Sequence, residues 1–243
     1  MRSYSFLAGS ACAVAFTAIA YAAAATSDKP VFSDPLAIDN PFHPFVVGRV
    51  KHFEIVQGHT DGEVLDTYLA DTRNFSWNGT TVSCRVLQEE EIEDGVLHEV
   101  SRNFFAQADD GTVYYFGETV DVFDGNGGVT HPGSWLVGGP TDPNDPPDTA
   151  TATAPAVYMP FDPQVGDLFK PEDLYPVADE TDEVIKIDQN VSLEAGHFTG
   201  CIQIQESSLL SSGTETKWYA PQVGVVKVKE KGEILALQSI TDP

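Results

Sequence analysis

The residues able to do chemistry are scattered along the chain rather than grouped. Six histidines, His43, His52, His59, His98, His131 and His197, stand one to a segment, with neither the His-Glu-x-x-His nor the His-x-His spacing that places two ligands on one metal. The nearest approach is His52-Phe53-Glu54. Alternate residues of a strand share a face, so this imidazole and carboxylate point the same way, and His59 in the following turn would complete a two-His, one-carboxylate set. Any solvated strand also produces such pairs. Gly-x-Ser-x-Gly, phosphate-loop and dinucleotide fingerprints are missing. Carboxylates are abundant, and two of them flanking a bond are all that glycoside hydrolysis needs. A secreted hydrolase, using paired acids or the His-carboxylate metal set, is therefore one alternative.

Calcium is the more credible ion. The stretch "TDPNDPPD" supplies Asp142, Asn144, Asp145 and Asp148 within one irregular segment, and hard cations take several oxygens in flexible geometry. The competing reading is a solvated acidic loop. "DVFDGNGG", residues 121–128, lacks the alternating Asp and terminal Glu of an EF-hand and suits a hairpin turn better.

Charge narrows the partners. Thirteen Lys and Arg against 37 Asp and Glu give a net charge of -24 at pH 7, which repels phosphate backbones and anionic lipid heads. Nucleic acid and membrane surfaces are disfavoured; divalent cations and basic ligands are attracted. Residues 1–25 carry an early arginine, an apolar middle and an Ala-rich end, the pattern of a signal peptide for a secreted or periplasmic protein. A lipoprotein anchor at Cys12 fits less well, because Gly9 stands where a larger aliphatic is wanted. No later stretch approaches the roughly 20 apolar residues of a spanning helix. Cleavage leaves Cys84 and Cys201, which in an oxidising compartment most simply form one disulfide, the alternative being two unpaired buried thiols.

The elements that must position these residues are strands. Asn78-Gly79, Asp94-Gly95, Asp110-Gly111, Asp124-Gly125, Ser212-Gly213 and Lys231-Gly232 are turn dipeptides at short intervals. Between them, alternation sets Ile202 and Ile204 against Gln203 and Gln205, and Val226 and Val228 against Lys227 and Lys229. The best helical stretch, "KPEDLYPVADE", is cut by Pro171 and Pro176. An all-β fold follows: residues 26–243 as a single antiparallel meander forming a barrel, half-barrel or β-roll, interrupted by a long Pro/Asp/Thr-rich loop at 137–169. No internal repeat is evident.

"LEAGHFTGCIQIQES" and "TKWYAPQVGVVKVKEKGE", residues 193–207 and 216–233, resemble the paired signature "AG-x-F-x-x-C … W-Y-A-P-x-V-G-x-V" of a broad group of exported bacterial proteins without an assigned activity. "NPFHPFVVGRVKHFE", "NFFAQADDGTVYYFGE" and "VYMPFDPQVGDLF" are similar to further blocks, so the likeness spans residues 40–230. Gln222 and His197 depart from the group pattern. The resemblance implies sheets akin to those of periplasmic lipoprotein carriers and no particular reaction. The glycines and aromatics of the signature are accounted for by turns and packing. The leading expectation is a non-enzymatic exported β-domain binding a small apolar ligand or a protein partner, with Phe104, Tyr115 and Trp218 as the pocket candidates. A calcium-stabilised surface module is the remaining alternative.

Overall fold

A computed structural model describes residues 29–58 and 61–243. The expected signal peptide, Cys12 and His59 lie outside the described residues. Fifteen strands and no helix occur among them: β1 (Val50–Gln57), β2 (Gly62–Trp77), β3 (Thr80–Glu93), β4 (Val96–Gln107), β5 (Val113–Phe123), β6 (Val129–Thr130), β7 (Trp135–Val137), β8 (Ala150–Ala152), β9 (Ala156–Met159), β10 (Leu168–Leu174), β11 (Ala178–Leu193), β12 (Gly196–Ser207), β13 (Thr214–Ala220), β14 (Gly224–Glu230) and β15 (Glu233–Thr241).

The all-β expectation holds, and the sheet rolls almost shut. Its order is β10-β11-β12-β13-β14-β15-β1-β2-β3-β4-β5-β7-β8. Hairpins join sequential neighbours, while β15 inserts between β14 and β1 and so ties the C-terminal strand to the first. One pair, β7 with β8, is parallel, which refines the purely antiparallel expectation. The long loop at 137–169 carries β8 and β9, and β9 pairs with β5 close to β10, at the seam where the roll would close. Asn40 helps hold this corner, its amide donating to the carbonyls of Gly111, Met159 and Pro160.

Two halves of the chain repeat one another, which corrects the reading of no repeat. β1–β5 and β10–β14 are both five-strand meanders. Pro41-Phe42-His43-Pro44 leads to Gly48, and Pro160-Phe161-Asp162-Pro163 leads to Gly166. Gly48 and Gly166 have φ of 88° and 93°, a left-handed conformation that glycine adopts without strain. Each opens a matching pair of bonds: Gly48 N–H donates to Tyr68 O while Tyr68 N–H donates to Arg49 O, and Gly166 N–H donates to Val184 O while Val184 N–H donates to Asp167 O. The last eight residues of β2 and of β11 show the same order of buried and exposed positions. Asp66 thus corresponds to Asp182, and Lys51, its register partner, corresponds to Phe169.

Burial is divided between two apolar clusters. The larger contains Phe75, Cys84, Phe105, Phe116, Trp135 and Ile204; the smaller contains Phe53, Val64, Cys201, Val226 and Leu237. Cys84 and Cys201 are both free and fully buried, one in each cluster, so the expected disulfide is not formed. They occupy β3 and β12, the third strands of the two halves, and five strands stand between those in the sheet. Burial raises both thiol pKa values.

Candidate functional site: an acid-lined inner face

The inner face of the roll follows from strand register. Residues two apart on a strand share a face, and register partners on neighbouring strands share it too. In the first half, Lys51 on β1 stands opposite Asp66 on β2, which stands opposite Glu89 on β3, which stands opposite Ser101 on β4. In the second half the same row reads Phe169, Asp182, Glu206, Glu215, and continues through Glu230 on β14 to Glu233 on β15. Five successive strands therefore present a carboxyl group in one cross-strand line. Like charges directly opposite one another destabilise a sheet, so this row costs stability.

Cations on this face are few. Lys51 is 1% exposed, pairs with Asp66 at 3.1 Å and donates to Val225 O at 3.2 Å. Its ammonium also lies 4.9 Å from the Phe53 ring centre. Lys217 on β13 pairs with Glu206 at 2.5 Å and Glu215 at 3.2 Å. Burial works against its charge, yet Glu206, Glu215 and Glu180 together hold its pKa well above the usual lysine value. Lys217 offsets part of the row. Asp182, only 2% exposed, is left with an Oδ1 that has no hydrogen-bond partner.

The carboxyl groups respond by holding protons. Burial first, against the relief of Lys217 and with the repulsion of Glu206, pushes Asp182 up to about 8. Glu215 is raised to about 8 and Glu99 to about 7, burial again leading. Glu89 and Glu180 are raised well above the ordinary value by burial and then by neighbouring acids. At the seam, Glu118 on β5 faces Trp135 on β7 in register and shares a hydrogen bond with Glu172 on β10. Burial pushes Glu118 up to about 8, and Glu172 accepts a bond from the Trp135 indole at 3.3 Å. β7 reaches this position because residue 117 is glycine. A Cβ there would stand 2.1 Å from Trp135 O, and φ is 115°.

Aromatic rings complete the lining. Tyr158 on β9 packs against Phe105 at 4.6 Å and Tyr115 at 5.7 Å. His43 packs on the same Tyr158 ring at 4.7 Å, is buried, and has no partner at Nε2; burial, then the charge of Lys51, lowers its pKa to about 3. Glu89, Tyr158, Glu180 and Glu206 are partly buried on this face. The chemistry such a wall offers is recognition of positive charge and of hydrogen-bond donors.

The residues singled out from sequence are dispersed. Tyr115 lies on the inner face, its hydroxyl donating to Asn103 Oδ1 and its ring 4.8 Å from Phe105. Phe104 packs on Phe75 at 5.5 Å, with the Arg73 guanidinium 4.9 Å from its ring. Trp218 points away from Lys217 and Tyr219, under the Lys227 ammonium at 4.7 Å. The three do not converge. In the long loop, Asp145 receives a two-pronged Arg73 contact at 2.6 and 2.7 Å and the backbone N–H groups of Thr141 and Asp142. Asp142 caps Asn144. Asp148 is exposed, while Asp142 and Asp145 are organised by the protein's own donors. His52 Nε2 lies 3.0 Å from Glu63 and 3.9 Å from Glu54 on a partly exposed face. Among the described residues no three His, Cys, Asp or Glu side chains converge as a metal ion needs. The inner row was not singled out from sequence. Its signal is "TETKWYA", where neither alternate set is apolar: Glu215, Lys217 and Tyr219 on one face, Thr216 and Trp218 on the other.

The chain matches no protein-family model, and no curated protein or solved structure is detectably similar to it.

Proposed function

We propose that this is an exported, non-enzymatic binding protein that takes a small polar molecule into the roll. The supporting observation is the inner face itself: a continuous row of carboxyl groups, with Asp182 Oδ1 and His43 Nε2 buried and unpartnered. An unsatisfied buried polar atom costs about 1–3 kcal/mol, which a folded protein retains where a ligand completes the bonding. The acid lining favours a donor-rich or cationic occupant over an apolar one, because an alkyl chain would desolvate these carboxyl groups without replacing their bonds.

Native mass spectrometry of protein purified from its own host tests the reading. A retained small molecule that leaves on denaturation is the expected outcome. Protein that carries nothing, and whose melting temperature responds to no polar small molecule, would rule the role out.

A further inference from the structure

We propose that the occupant is an amine, and that its ammonium group binds Asp182 beside the Phe169 ring, as Lys51 binds Asp66 in the other half of the chain. This rests on the reading of the roll as a small-molecule binder. The two halves correspond in register at this point. Lys51 and Asp66 are register partners on β1 and β2, and Phe169 and Asp182 are register partners on β10 and β11. The first pair is a closed salt bridge at 3.1 Å with both side chains buried. The second pair keeps the acid and replaces the base with an apolar ring, 7% exposed. The second half therefore has a buried acid without the built-in cation of the first.

The surroundings fit an ammonium ion. Lys51 in the first half combines a carboxylate, a carbonyl oxygen and an aromatic face. In the second half Phe169 supplies a ring beside Asp182, and cations are attracted to aromatic faces. Glu180, two residues along β11 on the same face, stands opposite Glu172, which meets the Trp135 indole. Alternate carboxyl groups on a strand are ~6.6 Å apart, a spacing that suits the two ends of a short diamine. A point metal ion fits less well, since no three acid or imidazole groups converge among the described residues. The charged and titratable groups facing Asp182 are Glu206 from β12, Lys217 and Tyr219 from β13, Tyr158 from β9 and Glu180 from its own strand. Lys217 is already committed to Glu206 and Glu215.

Isothermal calorimetry and thermal melting of the whole protein at pH 7.5 test the assignment, with 1,4-diaminobutane, the uncharged 1,4-butanediol and calcium chloride as probes at matched ionic strength. The diamine should bind at least tenfold more tightly than the diol and raise the melting temperature. Two variants carry the discrimination. Asp182→Asn should melt no lower than the native protein and lose at least tenfold in diamine affinity. Phe169→Lys should install the missing cation, abolish the response to diamine and leave the fold intact. Equal binding of diol and diamine would overturn the amine assignment while leaving the binder reading in place. Response to calcium alone would overturn it in favour of a metal. Failure of every probe, together with native protein that carries no small molecule, would remove the binder reading as well. If both variants bind diamine as the native protein does, Asp182 is not the site.

Discussion

Raising the pH from 6.5 to 8 should destabilise this protein, and Glu118 shows why. The side chain is 6% exposed, and burial, together with Glu99, Glu180 and Glu89, pushes its pKa from 4.5 to about 8. Between those two values the folded chain holds a proton that the unfolded chain has released. The resulting stability is fully present below pH 4.5 and is lost as pH rises through 8, at about 1.4 kcal/mol per pH unit. His43 works in the opposite sense. Its pKa falls from 6.5 to about 3 on folding, so its contribution is present above 6.5 and is lost as pH drops toward 3. Above pH 6.5 the carboxyl groups act without that offset. From 6.5 to 8 Glu118 alone forfeits about 2 kcal/mol, or ~4–8 °C of melting temperature for a domain of this size. Asp182 and Glu215, both raised to about 8, act in the same direction. Differential scanning calorimetry across pH 6.5–8.5 on the native chain and Glu118→Gln provides the comparison. The variant should show a shallower decline by at least one group's share, since its amide can also donate to Glu172. A native melting temperature that holds level or climbs through the window would refute the reasoning, as would an unaltered slope in the variant.

Other perturbations probe the parts that hold the lining in place. Gly117→Ala should cost about 3 kcal/mol, because the new methyl meets Trp135 O in a backbone conformation unsuited to alanine; chemical denaturation would show it as a lowered midpoint. Arg73→Ala should destabilise by about 3 kcal/mol through the stranded Asp145 carboxylate, with side chains 15% and 3% exposed in the native pair, and should hasten proteolysis within 137–169. Thiol titration should find Cys84 and Cys201 unreactive in the folded protein and both reactive after unfolding. A chain whose mass rises by two hydrogens on reduction would contradict that expectation.

Much of the fold was legible from alternation. Ile202, Ile204, Val226 and Val228 are all buried as their spacing requires, and the Asn78-Gly79 and Lys231-Gly232 turns fall between paired strands. The inner face was not legible, for a physical reason. A period of two says which residues share a face, but only an apolar face declares itself as the inside. On β13 the large ring of Trp218 draws attention to one side, while Lys217 and the acids beside it occupy the other, which is the inside. The repeat escaped notice because the halves share backbone hydrogen bonds at Gly48 and Gly166 more than residue types. The cysteines show the same limit: their number can be counted, while their separation depends on which strands come between them.

The doubled architecture has a consequence for stoichiometry. Two matching half-sheets would ordinarily offer two equivalent berths. On the amine proposal, Lys51 closes one of them from within and leaves one for a guest. Saturation should therefore occur at one guest per polypeptide. An amine guest should place an ammonium group against β11 and never against β2.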